Sequence, residues 1–163
     1  MKNILAILLL SPFFSAAQDC KLSKETDPYT KETKLSTGFI YLSGGSVTID
    51  ADSKEIDVLF SIEGVDKCFD NNCNAAIFFE GVKTKINSRN GGTMNCEGLF
   101  HFVFKNTVLS STVLQKIMTQ KINHIVFTGN NKKESTITLK PEEQEKLMAL
   151  ATCLMNEAKT LIK

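Results

Sequence analysis

The sequence predicts an α+β domain: an antiparallel sheet of about six to eight strands, rich in meanders, with a short helix and a C-terminal helix packed on it. Three observations carry this. The run Phe100-His101-Phe102-Val103-Phe104 alternates with period two, as a strand with one buried face does. Glycine, asparagine and aspartate cluster between short apolar runs, which marks turns joining short strands. From Pro141 onward the period changes to that of a helix, with Leu147, Leu150, Ala151, Leu154, Ala158 and Leu161 on one stripe.

The chain opens as an export signal. Lys2 supplies a positive start, Ile4 to Leu10 an apolar run, and Ser15-Ala16-Ala17 the small residues of a cleavage site. Cleavage is expected after Ala17, so residues 1–17 are a signal peptide and residues 18–163 a single secreted or periplasmic domain. Removing 17 of the 163 residues leaves 146, enough for one well-buried core. The loss of Lys2 brings 19 basic residues to 18, level with the 18 acidic ones. That balance lacks the basic footprint of a nucleic-acid binder, so no nucleic-acid partner is expected. No later segment is apolar enough to cross a membrane, and no Asn-x-Ser/Thr sequon occurs.

Residues Gln18 to Lys34 are polar, with Asp27-Pro28 as a turn. Strands are expected at Gly38–Leu42, Val47–Asp50 and Ile56–Ile62, then a loop over Gly64–Asn74. Of the 11 Phe, Phe78, Phe79, Phe100, Phe102 and Phe104 crowd into Ala75–Phe104. The face changes parity between Phe79 and Val82, which a tight turn at Glu80-Gly81 explains. With a second turn at Asn90-Gly91-Gly92, the stretch reads as a three-strand meander whose Phe side chains form the surface for the C-terminal helix. Ser110 or Ser111 caps a helix running to about Gln120, carrying Val113, Leu114, Ile117 and Met118. Ile122–Thr128 and Ser135–Leu139 form a final hairpin. Pro141 then starts the last helix, with Glu142, Glu143 and Glu145 at its positive end.

The segment carrying Cys20, Asp27, Pro28, Tyr29 and Thr30 resembles the start of a group of small secreted proteins, largely uncharacterised, from Bacteroidetes-type bacteria. The resemblance implies secretion and a β-rich body with a C-terminal helix. It carries no activity and no site residues.

Five cysteines survive processing: Cys20, Cys68, Cys73, Cys96 and Cys153. In an oxidising compartment they are disulfide candidates, and the odd count leaves a thiol over. Cys20 is expected to pair with Cys153, closing nearly the whole chain, and Cys96 with Cys68 or Cys73. His101 and His124, the only two histidines, lack a second ligand at metal spacing and read as surface or edge residues. Asp50, Asp52, Glu55 and Asp57 fail the calcium-loop template because Lys54 occupies a ligand position, so they read as a solvated turn, as does Asp70-Asn71-Asn72. Gly44-Gly45 and Gly91-Gly92 lack the Lys of a phosphate loop.

No catalytic, cofactor-binding or metal-ligating residue is assigned, and no cofactor is expected. The expected function is a secreted, non-catalytic module that binds a protein or small-molecule partner through its sheet or loops. Two alternatives stay open: a small hydrolase with an unrecognised site, and a carrier of an apolar ligand in a Phe-lined cavity. An enclosed apolar void would mark the carrier; converging polar side chains in a cleft would mark the enzyme.

Overall fold

The computed structural model describes residues 20–64 and 67–162. The leader and its cleavage site lie outside them. Ten strands form two antiparallel sheets, with two helices. The α+β class and both helices are as the sequence predicts; the division into two sheets is what the tertiary structure adds.

The first sheet has the order β1-β2-β4-β5-β8, with β3 also paired to β4. Its strands are β1 (Ser23–Thr26), β2 (Thr33–Ser36), β3 (Ile40–Leu42), β4 (Gly45–Ala51), β5 (Glu55–Ile62) and β8 (Leu99–Lys105). The second has the order β10-β9-β6-β7: β6 (Asn74–Phe79), β7 (Ile86–Arg89), β9 (Ile122–Thr128) and β10 (Glu134–Thr138). Strict alternation in β4, β5 and β6 puts every second side chain into the core and the rest outside.

One face of the first sheet carries everything else. On its β5–β8 side, Phe60, Phe100 and Phe102 meet Phe127 of β9, with centroids 5.5, 5.1 and 6.4 Å away. Phe69, from the loop before β6, closes the cluster on Phe100 at 5.3 Å. On the β2–β4 side lies α2 (Pro141–Ala158), which buries Leu147, Ala151, Leu154, Met155 and Ala158. Helix α1 (Thr112–Thr119) packs on α2; the Ser111 hydroxyl caps it by accepting the Leu114 N–H.

The Ala75–Phe104 stretch is therefore not a meander. β6 and β7 do form a hairpin, and the turn sits at Glu80-Gly81, where the Val82 N–H reaches the Phe79 carbonyl and Gly81 has φ +70°. Val82 and Thr84 stay in the connecting loop, and pairing resumes only at Ile86. After β7 the chain leaves the second sheet, and β8 pairs with β5 in the first. Period-two alternation shows which side of a strand is buried but not which strand lies beside it. The Phe side chains accordingly divide. Phe100 and Phe102 are buried between the sheets, Phe79 is buried with Lys116 of α1 over its ring, Phe104 is half-buried, and Phe78 faces outward. Phe100 and Phe102 pack sheet against sheet, while α2 covers β2, β3 and β4.

The polar segment after Cys20 also departs from expectation, since it forms the β1–β2 hairpin. All of β1 is exposed, so no apolar pattern announces it. Its turn is held by the Asp27 carboxylate, which accepts the N–H groups of Tyr29 at 2.7 Å and Thr30 at 2.8 Å. The Thr30 and Tyr29 N–H groups hold this carboxyl below the ordinary aspartate value.

Cys20 is joined to Cys153 of α2, and Cys68 to Cys96. The second bridge ties the loop before β6 to the loop before β8, where Phe69 and Asn95 exchange backbone hydrogen bonds of 2.8 and 2.9 Å. Cys73 is left as a buried thiol. Burial pushes that thiol above its ordinary value, and the Asp70 N–H, donating to Sγ at 3.3 Å, offsets part of this. Among the described residues no helix is long and apolar enough to cross a membrane.

Candidate functional site

Two places gather side chains capable of chemistry. The first is the outer face of the first sheet. Asp57 of β5 and His101 of β8 sit diagonally across the ladder, with Asp57 Oδ2 2.7 Å from His101 Nδ1. In the sequence no carboxylate stands at ligand spacing from His101; strand pairing brings in Asp57 from 44 residues away. No sequence spacing could reveal this, because the register of β5 on β8 creates it. The segment after β7 lies over the pair. Asn90 Oδ1 accepts the His101 N–H at 2.8 Å, the His101 carbonyl accepts the Gly91 N–H at 2.8 Å, and a methyl group at Gly92 would collide with the imidazole.

A carboxylate-oriented histidine is half of a nucleophilic apparatus; it needs a hydroxyl or thiol in hydrogen-bond reach. Among the described residues none hydrogen-bonds to this ring. The one free thiol, Cys73, contacts Asp70 instead, at 3.5 Å. The Asp57–His101 pair thus serves as a clasp between β5 and β8, capped by glycine backbone.

The acidic residues beside it are equally local. Asp52 Oδ1 accepts the N–H groups of Lys54 and Glu55 at 2.7 and 2.8 Å, closing the β4–β5 turn. Asp50 pairs with Lys34 at 3.3 Å. Asp70 Oδ1 accepts the Asn72 N–H at 2.8 Å. No group of three or more potential metal ligands occurs among the described residues.

The second place is the outer face of the second sheet. Register sets Phe78 of β6 opposite His124 of β9, Ala76 opposite Val126, and Asn74 opposite Thr128. On the flanking strands, Asn87 lies opposite Ala76 and Glu134 opposite Thr128. The result is an open concavity of about 320 Å³. Ala76 and Val126 are its floor, small enough to leave a depression. Phe78 is its wall, stacked on His124 with centroids 4.2 Å apart and planes 12° apart. Asn74, Asn87, Thr128, Glu134 and Lys85 form the rim. The Lys85 ammonium stands 5.9 Å from the Phe78 centroid.

A larger concavity, about 580 Å³, runs between α1 and α2. Size alone favours it, yet Lys121, Glu145 and Thr152 among its polar groups are already partnered. Lys121 pairs with Glu145 at 2.9 Å, which holds the ammonium above the ordinary lysine value, and the Thr152 hydroxyl donates to the Met118 carbonyl at 2.8 Å. On the second sheet the situation is reversed. The side chains of Asn87, Thr128, Glu134 and Lys85 make no hydrogen bond or ion pair with any described residue, while Asn74 makes one weak bond of 3.3 Å to the Asn72 carbonyl. These are solvent-facing donors and acceptors beside an apolar wall, free to turn toward a ligand. Reasoning from sequence missed this site, since its residues come from four strands.

No protein-family model, no curated protein and no solved structure matches this chain.

Proposed function

We propose that this chain is an exported, non-catalytic binding module whose recognition surface is the outer face of the β10-β9-β6-β7 sheet. One observation carries the reading: the depression over Ala76 and Val126 is ringed by Lys85, Asn87, Thr128 and Glu134, whose side chains pair with no described residue. Two disulfides suit an oxidising compartment, which supports export of the chain. Against catalysis stands the Asp57–His101 pair, whose ring has no hydroxyl or thiol hydrogen-bonded to it among the described residues. Against an apolar carrier stands the packing of Phe60, Phe69, Phe100, Phe102 and Phe127, whose rings fill the space between the sheets.

The test is amide chemical-shift mapping of residues 18–163, with both disulfides formed, against separate pools of neutral saccharides, amino acids, nucleotides and fatty acids. Shifts gathered on Ala76, Phe78, His124, Val126 and Thr128 with at least one pool are the expected result. Silence at this face with every pool, or shifts gathered elsewhere, overturns the reading.

A further inference from the structure

We infer that Asn90–Gly91 is a deamidation site, kept closed in the folded chain and opened when the segment after β7 comes away from β8. No other asparagine in the chain is followed by glycine. Asparagine is among the thermolabile residues, and a glycine after it leaves the next backbone nitrogen unscreened by any side chain. In the reaction the Gly91 nitrogen gives its proton to hydroxide and attacks Asn90 Cγ. The Cγ–N bond forms, the Cγ–Nδ2 bond breaks, and Nδ2 takes a proton from water and leaves as ammonia. Water then opens the cyclic imide at either carbonyl, leaving aspartate or isoaspartate in place of the asparagine.

The fold itself calls for this reactive pair. A Cβ at Gly91 would stand 2.7 Å from Val103 Cγ2, and valine is too stiff at its first torsion to move aside easily. Asn90 is 3% exposed and serves three backbone groups at once. Its Nδ2 donates to the Asp70 carbonyl at 3.0 Å, and its Oδ1 accepts the N–H groups of His101 at 2.8 Å and Gly92 at 3.2 Å. An ionised aspartate accepts but does not donate, so it could not fill this role.

The same contacts hold the reaction off. The Gly91 N–H, whose proton must be lost, is committed to the His101 carbonyl at 2.8 Å. The leaving nitrogen is bound to Asp70, and the Asn90 N–H is bound to the Cys73 carbonyl at 2.9 Å. Two N–H donors on Oδ1 would by themselves favour addition, as in an oxyanion hole. The closure therefore lies on the nucleophile and the leaving group, and conversion waits for local opening. Once it has happened, the new carboxylate cannot donate to the Asp70 carbonyl. Isoaspartate also adds a methylene to the backbone, which displaces Gly91 and Gly92 from His101.

The experiment incubates residues 18–163 at mildly alkaline pH, once folded with both disulfides formed and once reduced in guanidinium chloride. Mass spectrometry of the peptides then follows the exchange of –NH2 for –OH at each asparagine. In denaturant Asn90 is expected to convert ahead of every other asparagine. Gly91→Ala, also measured in denaturant so that its folding is immaterial, is expected to slow that conversion several-fold. In the folded protein conversion is expected to be slower by about tenfold or more, with hydrogen exchange of the Gly91 amide slowed as well. Another asparagine converting first in denaturant, or Gly91→Ala without effect, overturns the site. Equal rates in the folded and unfolded chains, or a Gly91 amide that exchanges freely while Asn90 stays intact, overturns the closure.

Discussion

The ring of Phe127 in β9 stands 5.1 Å from that of Phe100 in β8, centroid to centroid, across the boundary between the two sheets. Phe127 also meets Phe60, Phe69 and Phe102, so four rings depend on it. It is fully buried. Phe127→Ala should therefore cost about 3–5 kcal/mol, the transfer of the ring plus the cavity it leaves. Urea denaturation checks this: the midpoint should fall sharply with the slope unchanged. A loss below about 1 kcal/mol would mean that the rings do not join the sheets.

The two disulfides should differ in value. Cys20–Cys153 spans 133 residues and Cys68–Cys96 spans 28. In the loop-entropy description these contribute about 5 and about 3.5 kcal/mol respectively. Comparing Cys20→Ala/Cys153→Ala with Cys68→Ala/Cys96→Ala by denaturation should show the first pair losing more. The reverse order would show that the loop before β6 leans on its bridge for packing as well as for entropy.

Asn106 is buried and reaches two backbones at once. Its Nδ2 donates to the Asp52 carbonyl at 2.7 Å and to the Ala158 carbonyl at 2.9 Å, tying the end of α2 to the β4–β5 turn. Asn106→Ala should cost about 2–3 kcal/mol, from two hydrogen bonds and the acceptors left without them. Amide exchange should speed up in the last turn of α2 and not in its first, where Glu143 is separately held by the Lys140 N–H and the Ser43 hydroxyl.

Cys73 sets an alkaline limit. Its ordinary value is near 9.0, and burial raises it in the folded chain. In the window above the unfolded value the unfolded chain releases a proton that the folded chain keeps, so raising pH favours unfolding. The contribution from Cys73 should be constant below pH 9.0 and decline above it. Denaturation of the parent protein and of Cys73→Ala across that range checks the sign: the difference in stability between them should narrow as pH rises. Iodoacetamide should label the thiol slowly in the native protein and quickly once it is unfolded.

Much of the fold was legible because local rules agreed with the global outcome. Pro141, the acidic first turn and the Leu147–Leu161 stripe mark α2, and its buried residues fall on that stripe, with Gln144 and Met155 added. Ile122–Thr128 alternates as a strand and is one, interrupted only by the register shift opposite Phe78 and Phe79. The β1–β2 hairpin was hidden because its stabilising groups are backbone pairs and one Asp27 carboxylate, none of which leaves an apolar pattern.

The sequence alone determined the α+β class, which residues turn inward along the apolar strands, and most of the places where the chain must turn, because side-chain periodicity and glycine or proline chemistry act over a few residues. Only the tertiary structure decided that β8 leaves its neighbour β7 to pair with β5, that Asp57 clasps His101, and that Phe78, Asn87, Thr128 and Glu134 converge on one depression. Those relations depend on which strand lies beside which and in what register. That choice is made by the packing of Phe60, Phe100 and Phe102 against Phe127, contacts between residues far apart in the chain.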